Sequence, residues 1–250
     1  MSAMTMSWIV FACVFGGALL GMCLRAALPD HHLSTDSKDF VKLAVGLIGT
    51  MAALVLGLLI ASAKSSYDTK SSELTQASAS IIFLDRLMAH YGPETKEARD
   101  LLRRSVVRSL DRIWPEPTSG PAQLAPTAEG EGVYDKILRL SPRNEAQRSL
   151  QAQALRITTD LQQARWLLVE QQGGSIPMPF LVLLVFWVTI IFVSFGLIAP
   201  PNATVIAILF VCALSVSGAI FLILELDQPF EGLLQISSNH LRNALAHLGQ

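Results

Sequence analysis

Charge is scarce in this chain: Asp, Glu, Lys and Arg make up 16% of its 250 residues, where soluble domains carry about 25%. It is absent from the interior of four apolar runs, Trp8–Leu24, Leu43–Ala63, Phe180–Ala199 and Ala203–Leu224. Proton relays and many ion-coupled carriers place ionisable groups inside their spans, so a proton-coupled carrier is disfavoured. Catalytic signatures are missing as well. There is no phosphate-binding loop, no GxSxG, no HExxH and no dinucleotide fingerprint, which argues against an enzyme and leaves no catalytic, cofactor-binding or metal-ligating residue to name. The His31-His32 pair stands alone in a polar loop and reads as solvated. Cys13, Cys23 and Cys212 lie in apolar runs without a CxxC pair, so they read as small packing residues rather than disulfide or zinc ligands. A net charge of -1, with no basic patch interleaved with aromatics, excludes nucleic acid as a partner.

What the chain has in quantity is apolar surface, 51% of its residues. Each of the four runs approaches the ~20 residues that cross the hydrocarbon core, so the partner is a lipid bilayer. A secretory signal is the other reading of the first run, but no Lys or Arg precedes it and no clear small-x-small cleavage site follows. Gly17 and Gly21 form a GxxxG in that run. Gly46, Thr50, Ala53 and Gly57 recur on one helical face of the second, and such stripes let membrane helices pack closely.

No Gly or Pro occurs from Leu58 to Tyr91, which predicts that the second span continues as a long helix. Leu74, Ala77, Ile81, Leu84, Met88 and Tyr91 then fall at steps of three and four, the seam of helices packed side by side. Gly92-Pro93 ends that helix and opens another to about Trp114, with Ala98, Leu102, Val106, Leu110 and Ile113 on its apolar side. Residues 115–132 read as a flexible surface loop. A short helix over Val133–Leu140 follows, then a long one from Pro142 to about Gln172, broken by Gly173-Gly174. Pro200-Pro201-Asn202 joins the last two spans as a hairpin, and a tail helix with Leu241, Leu245 and Leu248 on one side is capped by Ser238 or Asn239. It lies on the bundle or on the membrane surface. The expectation is an all-α protein of four spans with a cytoplasmic helical bundle between spans two and three. Its divisions are 1–63, the first pair of spans; 64–176, the bundle; 177–227, the second pair; and 228–250, a cytoplasmic tail.

The end of the fourth run is the most informative stretch. Glu225 and Asp227 are its first carboxylates, and Pro229 stops the helix at about Asp227. Negative charge at a helix C-terminus is disfavoured by roughly 0.3–1 kcal/mol per group, so the site asks for a cation. Arg86 and Arg165 are the leading partners within the chain; another subunit or a metal ion are alternatives, as is simple solvation. Asp85 and Arg86 read as a helix-surface pairing.

Apart from Arg25, Lys38, Lys42 and Arg242, every Lys and Arg lies between Lys64 and Arg165. By the positive-inside rule the bundle and both termini are cytoplasmic, with residues 26–41 and the Pro200-Pro201-Asn202 turn outside. For an ion path, Thr50, Thr189, Ser194, Ser215 and Ser217 supply hydroxyls. Leu47, Met51, Leu54 and Leu58, mainly off the small-residue face of the second span, supply an apolar constriction.

Three stretches carry a resemblance: Leu84-Asp85-Arg86 with Tyr91-Gly92-Pro93; Arg112-Ile113-Trp114-Pro115; and Leu224-Glu225-Leu226-Asp227-Gln228-Pro229-Phe230-Glu231-Gly232. Together with the layout of spans, they resemble an uncharacterised bacterial membrane family described as bestrophin-like. Bestrophins are pentameric ion channels, and Glu225, Asp227, Pro229, Phe230 and Gly232 look like their acidic stretch near the membrane. Glu231 stands where bestrophins usually have glycine directly after the phenylalanine, which puts the transfer of calcium or gating roles in doubt. The resemblance implies a multi-pass protein of the bacterial inner membrane, a homo-oligomer that passes ions. The alternative is a non-conducting scaffold or accessory protein whose bundle binds a partner.

Overall fold

The computed structural model describes residues 2–27, 35–115, 128–170, 176–230 and 232–249. Among them every regular element is helical: α1 (Ala3–Ala27), α2 (Thr35–Tyr91), α3 (Lys96–Ile113), α4 (Ala128–Leu138), α5 (Glu145–Glu170), α6 (Met178–Ile198), α7 (Ala203–Asp227) and α8 (Asn239–His247). Four of these, α1, α2, α6 and α7, are long and apolar enough to cross a membrane. The chain divides into two compact units, Met1–Ser66 with Gly174–Asp227 and Tyr67–Gly173 with Gln228–Gln250. With no Gly or Pro between Leu58 and Tyr91 to interrupt it, α2 contributes to both.

In the first unit α1 packs on α6 and α7. Lipid is as apolar as leucine, so close fit rather than water exclusion brings these helices together. The fit is tightest at the glycines. A Cβ on Gly21 would be driven into the backbone carbonyl of Val193, and one on Gly196 into that of Ala18. The GxxxG of α1 is thus used, against a glycine of α6. Around this crossing Val10, Val14 and Ala18 meet Leu184 and Phe192, and Ala52, Leu59 and Ala63 of α2 join the same core. Phe11 and Phe15 of α1 each meet Phe210 of α7 edge-on at 5.4 Å. The Ser217 hydroxyl donates to Ser7 O at 2.6 Å, tying α7 to α1. Arg25 donates to Ile198 O, satisfying a free carbonyl at the C-terminus of α6. Asn202 caps α7 by accepting from Val205 N. The three cysteines are free and exposed on their helices.

The second unit is a bundle around the predicted seam. Leu84 and Met88 of α2 pack with Leu102 and Val106 of α3, Ile137 of α4 and Ala154 of α5. The tail helix α8 belongs to this core through Leu241 and, just beyond its end, Leu248, which decides between bundle and membrane surface.

Two boundaries and one cap differ from expectation. The helix α4 begins at Ala128, inside the expected 115–132 loop, taking in Gly130 and Gly132; its apolar face, buried through Val133 and Ile137, outweighs the ~1 kcal/mol cost of each helical glycine. Residues 116–127 and Gly173-Gly174 lie outside the described residues, as does His31-His32. The helix α5 starts at Glu145 rather than Pro142, because Asn144 accepts from Gln147 N and the Gln147 side chain accepts from Arg143 N, a reciprocal cap readable as Asn-x-x-Gln. At α8, Ser238 takes the N-cap position without a capping bond; its hydroxyl accepts from Arg242 Nε instead.

Candidate functional site

The three distinctive sequence stretches each build a defined local structure. At the first, the C-terminal carbonyls of α2 lose their helical partners and need others. Gly92, at φ 136° where side chains are strained, turns the chain. Buried Thr95 brings its hydroxyl to 2.6 Å from Met88 O and 2.8 Å from Gly92 O, and Gln147 Nε2 donates to Tyr91 O.

One turn earlier, Asp85 corrects the surface-pair reading. It is 1% exposed and accepts two bonds from Arg99 of α3, Nε to Oδ1 at 2.7 Å and Nη2 to Oδ2 at 2.8 Å. A third comes from Gly249 N at 3.2 Å, so one carboxylate joins α2, α3 and the segment after α8. Burial pushes the Asp85 carboxyl upward, but the bonds from Arg99 and Gly249 outweigh it and hold the pKa below its ordinary value. Sequence reasoning missed Arg99 and Gly249, though a signal existed: Leu74, Ser78, Ile81, Asp85 and Met88 fall at steps of four and three, and a carboxylate on a core stripe requires a partner.

The second and third stretches meet. Phe230 lies edge-on to Trp114, with ring centres 6.3 Å apart. The indole Nε1 donates to Ile236 O at 2.9 Å, while Ile236 N donates to Pro229 O at 2.8 Å. Pro229 is buried and Gly232 is exposed, at φ 84°. The loop after α7 is therefore pinned on the tryptophan that follows α3. Glu231 lies outside the described residues.

Immediately before that loop, α7 ends at Asp227 as its proline requires. Glu225 and Asp227 are 6% and 8% exposed. Two residues apart on a helix, they point to different sides, while Leu224 and Leu226 beside them are half-buried. Neither is without a partner, nor are Arg86 and Arg165. Arg86 is exposed on α2. Arg165 lines a cavity of about 150 Å³ between bundle helices, otherwise walled by residues such as Leu74, Ile81, Val106 and Leu168. Burial, and then the nearby Arg112 charge, pull its pKa below the usual guanidinium value. No group of three or more His, Cys, Asp or Glu placed to hold a metal ion occurs among the described residues.

On the membrane-level part of α2, Leu47, Thr50, Met51, Leu54 and Leu58 are all exposed, Leu54 the most at 76%. The small stripe is equally open: Gly46 and Gly57 have nothing within 4 Å of where a Cβ would stand, and Thr50 and Ala53 are exposed. Unlike the α1 stripe, this one finds no close partner among the described residues of the first unit. Of the other hydroxyls considered for an ion path, those of Thr189, Ser194 and Ser215 bond to carbonyls of their own helices. Ser217 is buried and engaged with α1, which makes it a packing residue.

A family model described as "Bestrophin-like domain" matches residues 12–241. Neither a curated protein nor a solved structure matches the chain.

Proposed function

The chain belongs to the bestrophin-like family, and on that premise we propose that it is a homo-oligomeric ion channel of a bacterial inner membrane, not an enzyme. The observation that carries this reading is the exposure of α2. Only 17% of its most apolar window is buried within the chain, against 28–33% for the other three spans. Both the Thr50, Ala53 and Gly57 part of its small-residue stripe and its Leu47, Met51, Leu54 and Leu58 stripe are uncovered, so α2 has one face for a neighbouring subunit and another for an axis. A ring of these apolar side chains gates by excluding water. Widening it through Leu54→Ser raises conductance in planar bilayers, tested with anions, cations and calcium. Silence from both wild type and Leu54→Ser, in folded oligomeric protein, overturns the channel reading.

The bundle and both termini are cytoplasmic in this proposal, supported by the concentration of Lys and Arg between Lys64 and Arg165. Single cysteines introduced at Thr118 and Ser34, on a background lacking the native cysteines, then label from the cytoplasmic and the outer side respectively. Periplasmic labelling at Thr118 overturns the topology.

A second reading, a non-conducting scaffold whose bundle binds a partner, is favoured by the engagement of the Thr189, Ser194 and Ser217 hydroxyls within the chain. The two readings part in the bilayer experiment.

A further inference from the structure

Between α2, α6 and α7 of the first unit lies an open groove of about 670 Å³. It exists because α2 presents Gly46 and Gly49 to it, while Ile191 and Phe195 of α6 and Ile208 and Leu209 of α7 form the other walls. Nothing stands within 4 Å of a Cβ on Gly46, and one on Gly49 would just reach Ile191 Cδ1 at 4.0 Å. Lys42 is the charged residue of the lining. Its ammonium also meets Asp39 at 2.9 Å, both side chains 60% exposed, and such exposed pairs contribute only about 0–1 kcal/mol. At the same end of the groove, Arg25 donates to the carbonyl of Ile198, another lining residue.

We propose that this groove is a binding site for one acyl chain of an anionic phospholipid, whose phosphate is held at Lys42. Dimensions and chemistry agree. From Lys42 to Gly49 is seven residues, about 10 Å of helix, whereas one leaflet of a ~30 Å hydrocarbon core is about 15 Å deep. The groove thus starts at the charged end of the spans and follows an acyl chain through most of one leaflet. A lysine beside an apolar slot holds its head at the interface while its stem lies along the slot, and its positive charge attracts an anionic headgroup. A zwitterionic lipid fills the slot equally well but gains less at Lys42, because its own cationic group competes for the phosphate.

The test measures lipid retained by the purified full chain, released from nanodiscs of equal dioleoyl phosphatidylglycerol and dioleoyl phosphatidylcholine, by native mass spectrometry. One lysine–phosphate contact of about 1 kcal/mol corresponds to roughly a fivefold preference for phosphatidylglycerol. Lys42→Gln abolishes the preference but leaves lipid bound. Gly49→Leu, which fills the slot, removes the retained lipid of both kinds; Ile208→Trp does the same from the α7 wall and serves if Gly49→Leu fails to fold. Equal retention of the two lipids, or a preference that survives Lys42→Gln, overturns the proposal. So does a slot-filling variant that changes the mass of the assembly and not its lipid content, because a second copy of the chain is then the occupant.

Discussion

The two units of this chain are built from the same element, the long helix, and are held together by different forces. In the first, α1 and α6 meet backbone to backbone at Gly21 and Gly196, and the Ser217 hydroxyl of α7 donates across to Ser7 O of α1. In the second, leucine and valine seams exclude water around Leu84, Leu102 and Ile137, and a buried Asp85–Arg99 pair crosses from α2 to α3. Solvent explains the difference. Lipid gives no reward for hiding leucine, so shape and small residues decide the membrane contacts; water rewards each buried apolar side chain by about 1.5–3 kcal/mol. A buried ion pair, once embedded, becomes a liability if either half is removed.

The largest effect is expected at that pair. Asp85→Ala leaves Arg99 without its bidentate acceptor and costs about 3–5 kcal/mol, read as loss of the Trp114 fluorescence transition at lower denaturant. A cost no greater than that of an exposed pair would erase the contrast between the units. Next comes the membrane crossing: Gly21→Leu or Gly196→Leu forces α1 and α6 apart and costs about 1–3 kcal/mol in detergent melts, while Gly57→Leu, which meets open space, stays within about 0.5 kcal/mol. A Gly57→Leu variant that instead changes the mass of the purified protein sharpens the comparison, by placing the use of that part of the stripe between copies of the chain.

Acid separates the units further. Because the folded Asp85 pKa is depressed below 3.8, its contribution is fully present above the unfolded value and is lost as pH falls below about 4 toward the folded value. The Trp114 signal therefore destabilises progressively in that window, and Asp85→Asn flattens the dependence. The smallest effects belong to single bonds. Trp114→Phe removes the indole bond to Ile236 O and costs about 0.5–1.5 kcal/mol in the bundle. Ser217→Ala costs about 0.6 kcal/mol in the membrane unit; a value matching Asp85→Ala would give the two units the same dependence on polar contacts.

What could be read in advance follows the same division of forces. Periodicity and proline act locally, so the seam of α2, the stop at Asp227 and the four apolar helices were all legible residue by residue. So was the tail helix, although whether it met bundle or bilayer was not, because both bury an apolar stripe equally well. By its charge Asp85 reads as a surface group, and only when the stripe is drawn through its polar members, Ser78 and Asp85, does it fall on the core side of α2.

The amino-acid sequence by itself determined the elements: helix lengths, their ends, and which runs belong in lipid. Those properties depend on neighbours three or four residues away, and on the cost of taking charge out of water. Tertiary structure alone decided which of two similar small-residue stripes is used. Gly17 and Gly21 face α6 at close range, whereas Gly46 and Gly57 meet open space; a missing side chain permits approach, but only a complementary surface brought opposite it makes the contact. The same holds for Asp85, whose partners Arg99 and Gly249 lie 14 and 164 residues further along the chain, a separation that no local pattern spans.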